Sequence, residues 1–347
     1  MFIYLHTTGG FYMQIQLSEH FTYKKLLRFV LPSIVMMIFT SIYGVVDGLF
    51  VSNYVGKTAF AAVNLIMPFL MAISALGFMI GTGGSAIVAK TLGEGKKKQA
   101  NEYFSMLVYL TLIGGIVLSA LGILFSPLIA RGLGADGALL TNCVLYARIT
   151  LLSMPAFMLQ NVFQSFFVTA EKPKLGLGVI VIAGVTNMVL DFLLVGVFQI
   201  GLAGAAFATV LAQIVSGVAC LLYAWKILPM LRIRRDKLKL DTFIGKKMLV
   251  YGLPAALQMS IISISDMTLQ AVVNTYGTTL VVAYGVCVKV EGLGMQVGDA
   301  LGTALGTFAG QNTGAKNISR IKAGFRTTFA LNAIGYAIVS PLIFILA

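Results

Sequence analysis

Long apolar segments follow one another along almost the whole chain, with only short polar stretches between them. A membrane-spanning helix needs about 20 mainly apolar residues to cross a hydrocarbon core about 30 Å thick. Apolar runs and polar breaks give nine predicted spans: 26–51, 60–91, 103–129, 143–169, 175–198, 200–229, 247–275, 279–311 and 325–347. The sequence therefore predicts an all-α integral membrane protein.

The composition excludes a soluble enzyme. Charged residues make up 11% of the 347 residues, and the mean hydropathy is +0.92. An ordinary soluble domain has about 25% charged residues. The sequence also has no P-loop, zinc-protease helix or nucleophile elbow. We therefore expect a protein that is not an enzyme and that carries no cofactor.

The positions of the basic residues predict the orientation in the membrane. If the N-terminus is cytoplasmic, 21 of the 25 Lys and Arg residues fall on the cytoplasmic side. Lys57, Arg131 and Arg148 then face outward, and Lys289 lies within a span. Because cytoplasmic loops are enriched in Lys and Arg, we expect a multi-pass protein of the cytoplasmic membrane with a cytoplasmic N-terminus. The net charge of +13 then reflects topology and not a nucleic-acid partner.

Two parts of the chain repeat one another. Residues 81–104 resemble residues 302–325 at an offset of 221, and Leu31-Pro32 resembles Leu253-Pro254 at an offset of 222. Because six spans separate equivalent points, both copies have the same orientation in the membrane. A substrate path between the two copies is typical of such parallel repeats.

The repeat and the charge pattern together predict the domain organisation. The predicted parts are a leader without structure (1–12), an N-terminal lobe of six helices (13–229), a basic cytoplasmic linker (230–246) and a partial C-terminal lobe of three helices (247–347). A complete second copy would extend to about residue 450. We therefore expect the chain to be a fragment or a natural truncation.

Charged side chains inside a span cost about 2.5–3.5 kcal/mol each on insertion scales, which makes them functional candidates. They are Asp47, Asp191, Asp266, Lys289, Glu291 and Asp299. Lys289 and Glu291 are two residues apart and do not face each other on a helix. A structural ion pair with Asp266 or Asp299 and a second coupling site are both compatible with this pattern.

Asp47 and Asp191 lie at the same predicted depth. Each is about 10 Å from the outer end of its span, and Thr209 is about 13 Å inward from the end of its own. Tyr43 lies one turn before Asp47, and Asn187 lies one turn before Asp191. The two carboxylates, with the Asn187 and Thr209 oxygens, predict a site for Na⁺ or for a proton shared between the carboxylates. Alternatively, the two acids are structural, and their hydrogen bonds fix the packing of the helices.

Prolines and small residues predict how the helices bend and pack. Pro32 and Pro254 lie near the start of equivalent spans and are predicted hinges, because each removes a backbone donor. Small residues predict a close approach of helices in both copies. These residues are Gly81, Gly83, Gly84, Ser85, Gly302 and Gly306.

Over residues 13–347 the sequence resembles the multidrug and toxic compound extrusion (MATE) transporters. The resemblance rests on the parallel repeat and on Pro32, Tyr43, Asp47, Gly93-Glu94-Gly95, Asn187 and Asp191. It implies two six-helix lobes around a V-shaped cleft and the export of cationic, amphipathic compounds driven by inward H⁺ or Na⁺. For the prokaryotic type it also implies a cation site at Asp47, Asn187, Asp191 and Thr209, lined by Tyr43 and Asn161.

The chain departs from the family pattern in its C-terminal part. Some members carry an acidic residue on the seventh helix, and Asp266, 12 residues beyond Pro254, has no clear match to it. The last three helices of the family fold are missing. The resemblance implies small cationic molecules and the lipid bilayer as partners, and a monomer.

Two other functions are compatible with the sequence. One is a flippase for lipid-linked precursors, in the same superfamily, which would need a basic cavity. Arg148 is the only clear candidate for such a cation in the N-terminal half. The other is a truncated membrane protein that does not transport.

Overall fold

The structure is a computed structural model that describes residues 23–226, 242–274, 276 and 278–346. Its helices are α1 Tyr23–Phe50, α2 Lys57–Gly93, α3 Lys97–Gly132, α4 Gly137–Leu151, α5 Met154–Thr169, α6 Pro173–Asp191, α7 Leu202–Lys226, α8 Thr242–Asn274, α9 Thr278–Gly314 and α10 Ile318–Leu346. We refer to α1–α7 as the N-terminal half and to α8–α10 as the C-terminal half. The predicted leader and most of the predicted linker lie outside the described residues.

The helices confirm the predicted all-α membrane architecture. Within the described residues, five helical stretches are long and apolar enough to cross a membrane, at 23–55, 57–93, 97–132, 173–197 and 202–225. Together, α4 and α5 form a sixth candidate span as a bent pair. The last three predicted spans are occupied by α8, α9 and α10, with 33, 37 and 29 residues.

The fourth predicted span is broken into α4 and α5, which meet with a bend of 60°. Pro155 lies in the first turn of α5, where its missing N–H removes no helical hydrogen bond. Ser119 Oγ donates a hydrogen bond to the Leu151 carbonyl oxygen at 2.7 Å, which satisfies an acceptor at the end of α4. The break is therefore held by α3 as well as by its own sequence.

The two helices that carry the predicted acidic pair both end in a wider, π-helical turn. This turn covers Val51–Val55 after α1 and Phe192–Val197 after α6, so it begins directly after Asp191. π-helical turns are rare, and many of them occur at functional sites. Gly56, at φ +120°, then lets the chain turn from α1 into α2.

Aromatic packing joins α3 to α5 in the core of the N-terminal half. The rings of Phe104, Phe163 and Phe166 are completely buried. Phe104 packs edge-on against the other two, with ring centroids 5.7 and 4.8 Å apart. Such pairs contribute about 0.5–1.5 kcal/mol beyond the area that they bury. The N-terminal half therefore has a rigid interior against which a site can be built.

The two halves meet at the C-terminal ends of α2 and α9. A Cβ atom at Gly93 would overlap the carbonyl oxygen of Gln311, and a Cβ atom at Gly314 would overlap that of Lys90. At the offset of 221, Gly93 is equivalent to Gly314 and Lys90 is equivalent to Gln311. A twofold rotation therefore exchanges the two contacts.

A second pair of contacts follows the same symmetry. Gly83 on α2 packs against Gly252 on α8. The equivalent residues, Ala304 on α9 and Val30 on α1, belong to one buried apolar cluster. The repeat found in the sequence therefore relates the two halves in space, as expected for an axis along the membrane normal.

The predicted close approach of small residues is seen in the first copy. Gly81 faces Val162 on α5, and Gly84 faces Leu107 on α3. Among the described residues, nothing lies within 4 Å of a Cβ position at Gly302 or Gly306. For these two glycines of the second copy, close packing stays a prediction.

The predicted hinge prolines both lie inside unbroken helices. Pro32 is buried in α1, and Pro254 is exposed in α8. Each ring removes one backbone hydrogen bond from its helix. Their role as hinges stays a prediction.

The loop that joins α2 to α3 carries an ion pair. Gly95 has a left-handed conformation at φ +77°, and Lys96 Nζ lies 2.8 Å from Glu94 Oε2. The Lys96 ammonium group lowers the pKa of the Glu94 carboxyl group below its ordinary value. Exposed ion pairs of this kind add little to stability. Because both partners lie in one loop, this pair does not itself join the two halves.

We expect Gly93→Ala and Gly314→Ala to lower the stability of the protein, because each new methyl group must displace a carbonyl of the other half. Overpacking of this kind costs about 1–3 kcal/mol. The measurement is the thermal unfolding midpoint of the purified protein in detergent. The matched control is Gly306→Ala on α9, which meets no neighbour among the described residues and gains helix propensity. Equal midpoints for Gly93→Ala and the control would contradict this role for the glycine contacts.

Candidate functional site

A cavity of about 230 Å³ lies among the helices of the N-terminal half. The first helix, α1, lines it with Thr40, Tyr43, Gly44 and Asp47. These residues follow the i, i+3, i+4, i+7 spacing that places side chains on one face of a helix. One face of α1 therefore forms a continuous wall of the cavity.

The remaining walls divide into a polar and an apolar part. The polar residues are Tyr146, Thr150, Gln160, Asn187, Thr209 and Gln213. The apolar residues are Met67, Leu70, Met71, Met154, Phe157, Ala183 and Ala212. Among the described residues that line the cavity, none is Lys, Arg or His. The cavity therefore combines flexible apolar side chains with negative or neutral polar groups.

The carboxyl groups of Asp47 and Asp191 lie next to each other, close enough for a hydrogen bond. Asp191 is the last residue of α6 and is completely buried beside the cavity. An ionised carboxylate can only accept hydrogen bonds. A hydrogen bond between the two groups therefore requires one proton, and without it the buried pair carries two charges.

Four buried oxygen atoms at this place have no hydrogen-bond donor in the described part of the chain. They are Asp47 Oδ1, Asn187 Oδ1, Asp191 Oδ1 and Asp191 Oδ2. Buried polar atoms are almost always paired, so a cluster of unpaired acceptors requires an explanation. Hard cations such as Na⁺ bind to carboxylate and carbonyl oxygens, and a proton would convert one carboxylate oxygen into a donor. The arrangement can therefore bind a small cation.

Close packing of α1 against α6 places Tyr43 at the cavity wall. A Cβ atom at Gly184 would lie 2.5 Å from Phe39 Cε1 and 2.9 Å from Tyr43 Cδ1. Only glycine at this position leaves room for the two rings. Gly178, on the same helix, has nothing within 4 Å of its Cβ position among the described residues.

The structure brings most of the predicted site residues together. Tyr43, Asp47, Asn187 and Thr209 line the cavity, and Asp191 lies directly behind Asp47. The two acids, which residue counting predicts at one depth, are therefore neighbours in the structure.

Other predicted residues are not among those that line the cavity, or their side chains lie outside the described residues. Asn161 is buried on α5, and its Nδ2 has no hydrogen-bond partner in the described part of the chain, but the neighbouring Gln160 lines the cavity instead. Asp299 is exposed on α9. The side chains of Asp266, Lys289 and Glu291 lie outside the described residues. A second coupling site at these positions stays a prediction.

Sequence reasoning missed the neutral polar residues of the cavity. Gln160 and Gln213 are amides within apolar spans, and this signal was available in the sequence. Ser153, at the break between α4 and α5, bonds to Gln213 with 2.5 Å between Oγ and Oε1. Because this bond ties the break to α7, it helps to shape the cavity wall that Thr150 and Met154 form.

Comparison with known proteins identifies the family. The MatE family model matches residues 32–193 and 254–347, which is most of the chain. The chain belongs to the MatE family. The second matched segment begins 222 residues after the first, at the offset that separates Pro32 from Pro254.

Curated relatives of this MatE chain are named as multidrug proteins. The probable multidrug resistance protein YoeA of Bacillus subtilis is 26% identical over 335 residues, which cover 94% of this chain and 72% of the relative. The multidrug export protein MepA of Staphylococcus haemolyticus is 23% identical over 274 residues, which cover 79% and 60%. The chain thus matches about 60–72% of the length of these two relatives.

A solved structure has the same fold. It is described as the outward-facing conformation of a multidrug resistance MATE family transporter of the MOP superfamily. The match has a TM-score of 0.87 at 24% identity and covers 95% of this chain and 73% of the solved one. The predicted membership of the family and the predicted helical membrane fold are therefore both confirmed.

We expect Gly184→Ala in this MatE protein to lower the free energy of unfolding by about 1–3 kcal/mol, because the methyl group must displace Phe39 and Tyr43. The control is Gly178→Ala on the same helix, which adds a methyl group without a neighbour in the described part of the structure. Unfolding of the purified variants in detergent measures the difference. If both variants were equally stable, the close packing of α1 on α6 would not constrain the site.

Proposed function

We propose that this protein is a cation-coupled antiporter that exports cationic, amphipathic compounds across the cytoplasmic membrane. Asp47 and Asp191 receive the coupling ion, which is H⁺ or Na⁺. The observation that carries the proposal is the cluster of four buried acceptor oxygens without a donor in the described residues. The small molecules exported and the lipid bilayer are then the partners of a monomeric transporter.

The charge of the acidic pair supplies the coupling. With no basic side chain among the described lining residues, an ionised pair is not neutralised by the cavity wall. Charges that leave water without a partner are costly, so the pair with two negative charges and the ion-bound pair with one favour different surroundings. A ligand shifts a conformational equilibrium by its difference in affinity for the two states. Binding of H⁺ or Na⁺ at this pair therefore favours one arrangement of the two halves.

The apolar wall supports the proposed class of substrate. Met67, Met71 and Met154 supply flexible thioether side chains, and Phe157 supplies an aromatic ring. Methionine adapts to ligands of different shapes because its side chain is unbranched and polarisable. The names of the curated relatives, which are multidrug resistance and multidrug export proteins, agree with this class.

The cavity offers no support for the alternative of a lipid-precursor flippase. A phosphate-bearing substrate would require a basic site. Arg148 is exposed, its Nε donates a hydrogen bond to Ser126 Oγ at 3.2 Å, and it does not line the cavity. The described cavity therefore fits a cation better than an anion.

We expect Asp47→Asn and Asp191→Asn to reduce ion-driven efflux by about 5- to 150-fold, the usual range of coupling between two sites. Asparagine keeps the shape of the side chain but removes the group that binds H⁺ or Na⁺. The measurement is efflux of ethidium, a cationic dye, from proteoliposomes under an imposed pH or Na⁺ gradient. Unchanged gradient-driven efflux in Asp47→Asn would refute the mechanism.

Asp136→Asn is the matched control for these variants. Asp136 is an exposed acid whose side chain accepts a hydrogen bond from the Gly137 amide at 2.7 Å, at the start of α4. Because asparagine caps a helix about as well as aspartate does, we expect this variant to keep its stability and its efflux.

The effect of salt on stability, together with efflux, distinguishes Na⁺ from H⁺ as the coupling ion. A ligand that binds only the folded protein stabilises it by about 2.7 kcal/mol at 100 times its Kd. If Na⁺ is the coupling ion, NaCl raises the unfolding midpoint relative to choline chloride at the same ionic strength, and Asp191→Asn removes the difference. If H⁺ is the coupling ion, the two salts have the same effect and efflux follows the pH gradient alone.

A further inference from the structure

Two adjacent faces of α1 have different neighbours. One face lines the cavity, and the other packs against α9 of the C-terminal half. The buried apolar cluster on this second face contains Leu26, Phe29, Val30 and Ile34 of α1 and Ala300, Leu301, Ala304 and Phe308 of α9. This cluster joins the halves over the cytoplasmic part of α1.

A polar contact lies outward of the apolar cluster. Gln296 Nε2 on α9 donates a hydrogen bond to Ser41 Oγ on α1. The other polar atom of the same amide, Gln296 Oε1, is buried and has no hydrogen-bond partner in the described residues. The amide is therefore only half satisfied in this arrangement. An unpaired buried acceptor is costly, so an arrangement that pairs this oxygen would gain free energy in compensation for the Ser41 bond.

This contact lies beside the candidate cation site. Ser41 follows Thr40 and precedes Tyr43 by two residues, and both of these line the cavity. At 3.6 residues per turn, Ser41 is rotated by about 100° from Thr40 and by about 60° from Gly44 around the helix axis. Any rotation or shift of α1 that moves Asp47 in the cavity therefore also moves Ser41 relative to Gln296.

The repeat shows that the hydrogen bond between Gln296 and Ser41 has no counterpart in the equivalent pair of helices. The contact of α1 with α9 is equivalent to the contact of α8 with α2. At the offset of 221, the equivalent of Gln296 is Ala75, which has no side-chain group for such a bond. At the offset of 222, the equivalent of Asp47 is Leu269. The amide and the acid thus both belong to the pair of helices α1 and α9, and both are lacking in the equivalent pair, α8 and α2.

We infer that Gln296 is a positioning residue that couples the cation site to the arrangement of the two halves through its bond to Ser41. The inference rests on the proposed function, because it assumes a coupling ion at Asp47 and Asp191. The bond favours the position of α1 that the structure shows. The bond holds α1 against α9, so a movement of α1 that ion binding at Asp47 favours is transmitted to the C-terminal half.

The test compares Gln296→Ala, Ser41→Ala and the double variant in the full chain. Ethidium and Na⁺ binding to the purified protein, and proton uptake on acidification, report on the sites. Ethidium efflux from proteoliposomes under a pH or Na⁺ gradient reports on coupling. We expect binding within about twofold of the unmodified protein and gradient-driven efflux about 5- to 150-fold lower. Because both residues form one bond, the double variant is expected to lose no more than either single variant.

Ser260→Ala is the matched control for the loss of a serine hydroxyl. Ser260 is exposed on α8, and its hydroxyl group donates to the Ala256 carbonyl oxygen of its own helix at 2.9 Å. We expect this variant to behave as the unmodified protein in every assay, since its hydroxyl bonds within one helix.

Three outcomes would overturn the inference. If Gln296→Ala shows the same gradient-driven efflux as the unmodified protein, the coupling role of Gln296 is refuted, and the proposed function is not affected. Loss of binding together with efflux would make Gln296 a structural residue, and additive losses in the double variant would separate it from Ser41. If the unmodified protein itself shows no gradient-driven efflux, the proposed function fails, and this inference fails with it.

Discussion

Hydrocarbon offers no hydrogen bonds, so every polar group within the spans must find its partner in the protein. Many hydroxyl groups in the described part of the chain do so by bonding to the carbonyl oxygen one turn back, as Thr91 and Thr111 do. Asp47, Asn187 and Asp191 cannot, because their unpaired atoms are acceptors and a helix offers no free donor in its interior. The unpaired oxygen atoms of these three residues lie close together, and they form the candidate cation site.

The sequence alone predicts the helical membrane fold, the repeat and the depth of the two acids. These features depend on large free-energy differences between apolar and charged side chains in a membrane. A charge in a span is costly enough to be conspicuous, and counting along Asp47 and Asp191 places both at one level. The amide side chains of Gln160 and Gln213 cost less free energy to place in a span than a charge does. Sequence analysis therefore did not single them out. The break before α5 depends in part on the Leu151 carbonyl oxygen, which accepts a hydrogen bond from Ser119 on another helix. Such a contact between helices cannot be read from one segment of the sequence.

The two copies share a backbone plan but differ in their chemistry. Where the first copy has Tyr43 and Asp47, the second has Ser265 and Leu269 at the offset of 222. The repeat therefore preserves residues that permit close packing, such as Gly93 and Gly314, but does not repeat Asp47. Packing is needed in both halves for the fold, whereas one ion site is sufficient to bias an equilibrium between two arrangements.

The paired glycine contacts also limit the mechanical freedom of the molecule. Gly93 meets Gln311 and Gly314 meets Lys90, and a twofold rotation exchanges the two contacts. A slide of one half along that axis changes the two separations by opposite amounts, so one contact can loosen only as its mate is compressed. Tilting the halves apart lengthens both together. The junction of α2 and α9 therefore resists shear along the axis in either direction, whereas tilting the halves apart loosens both contacts together.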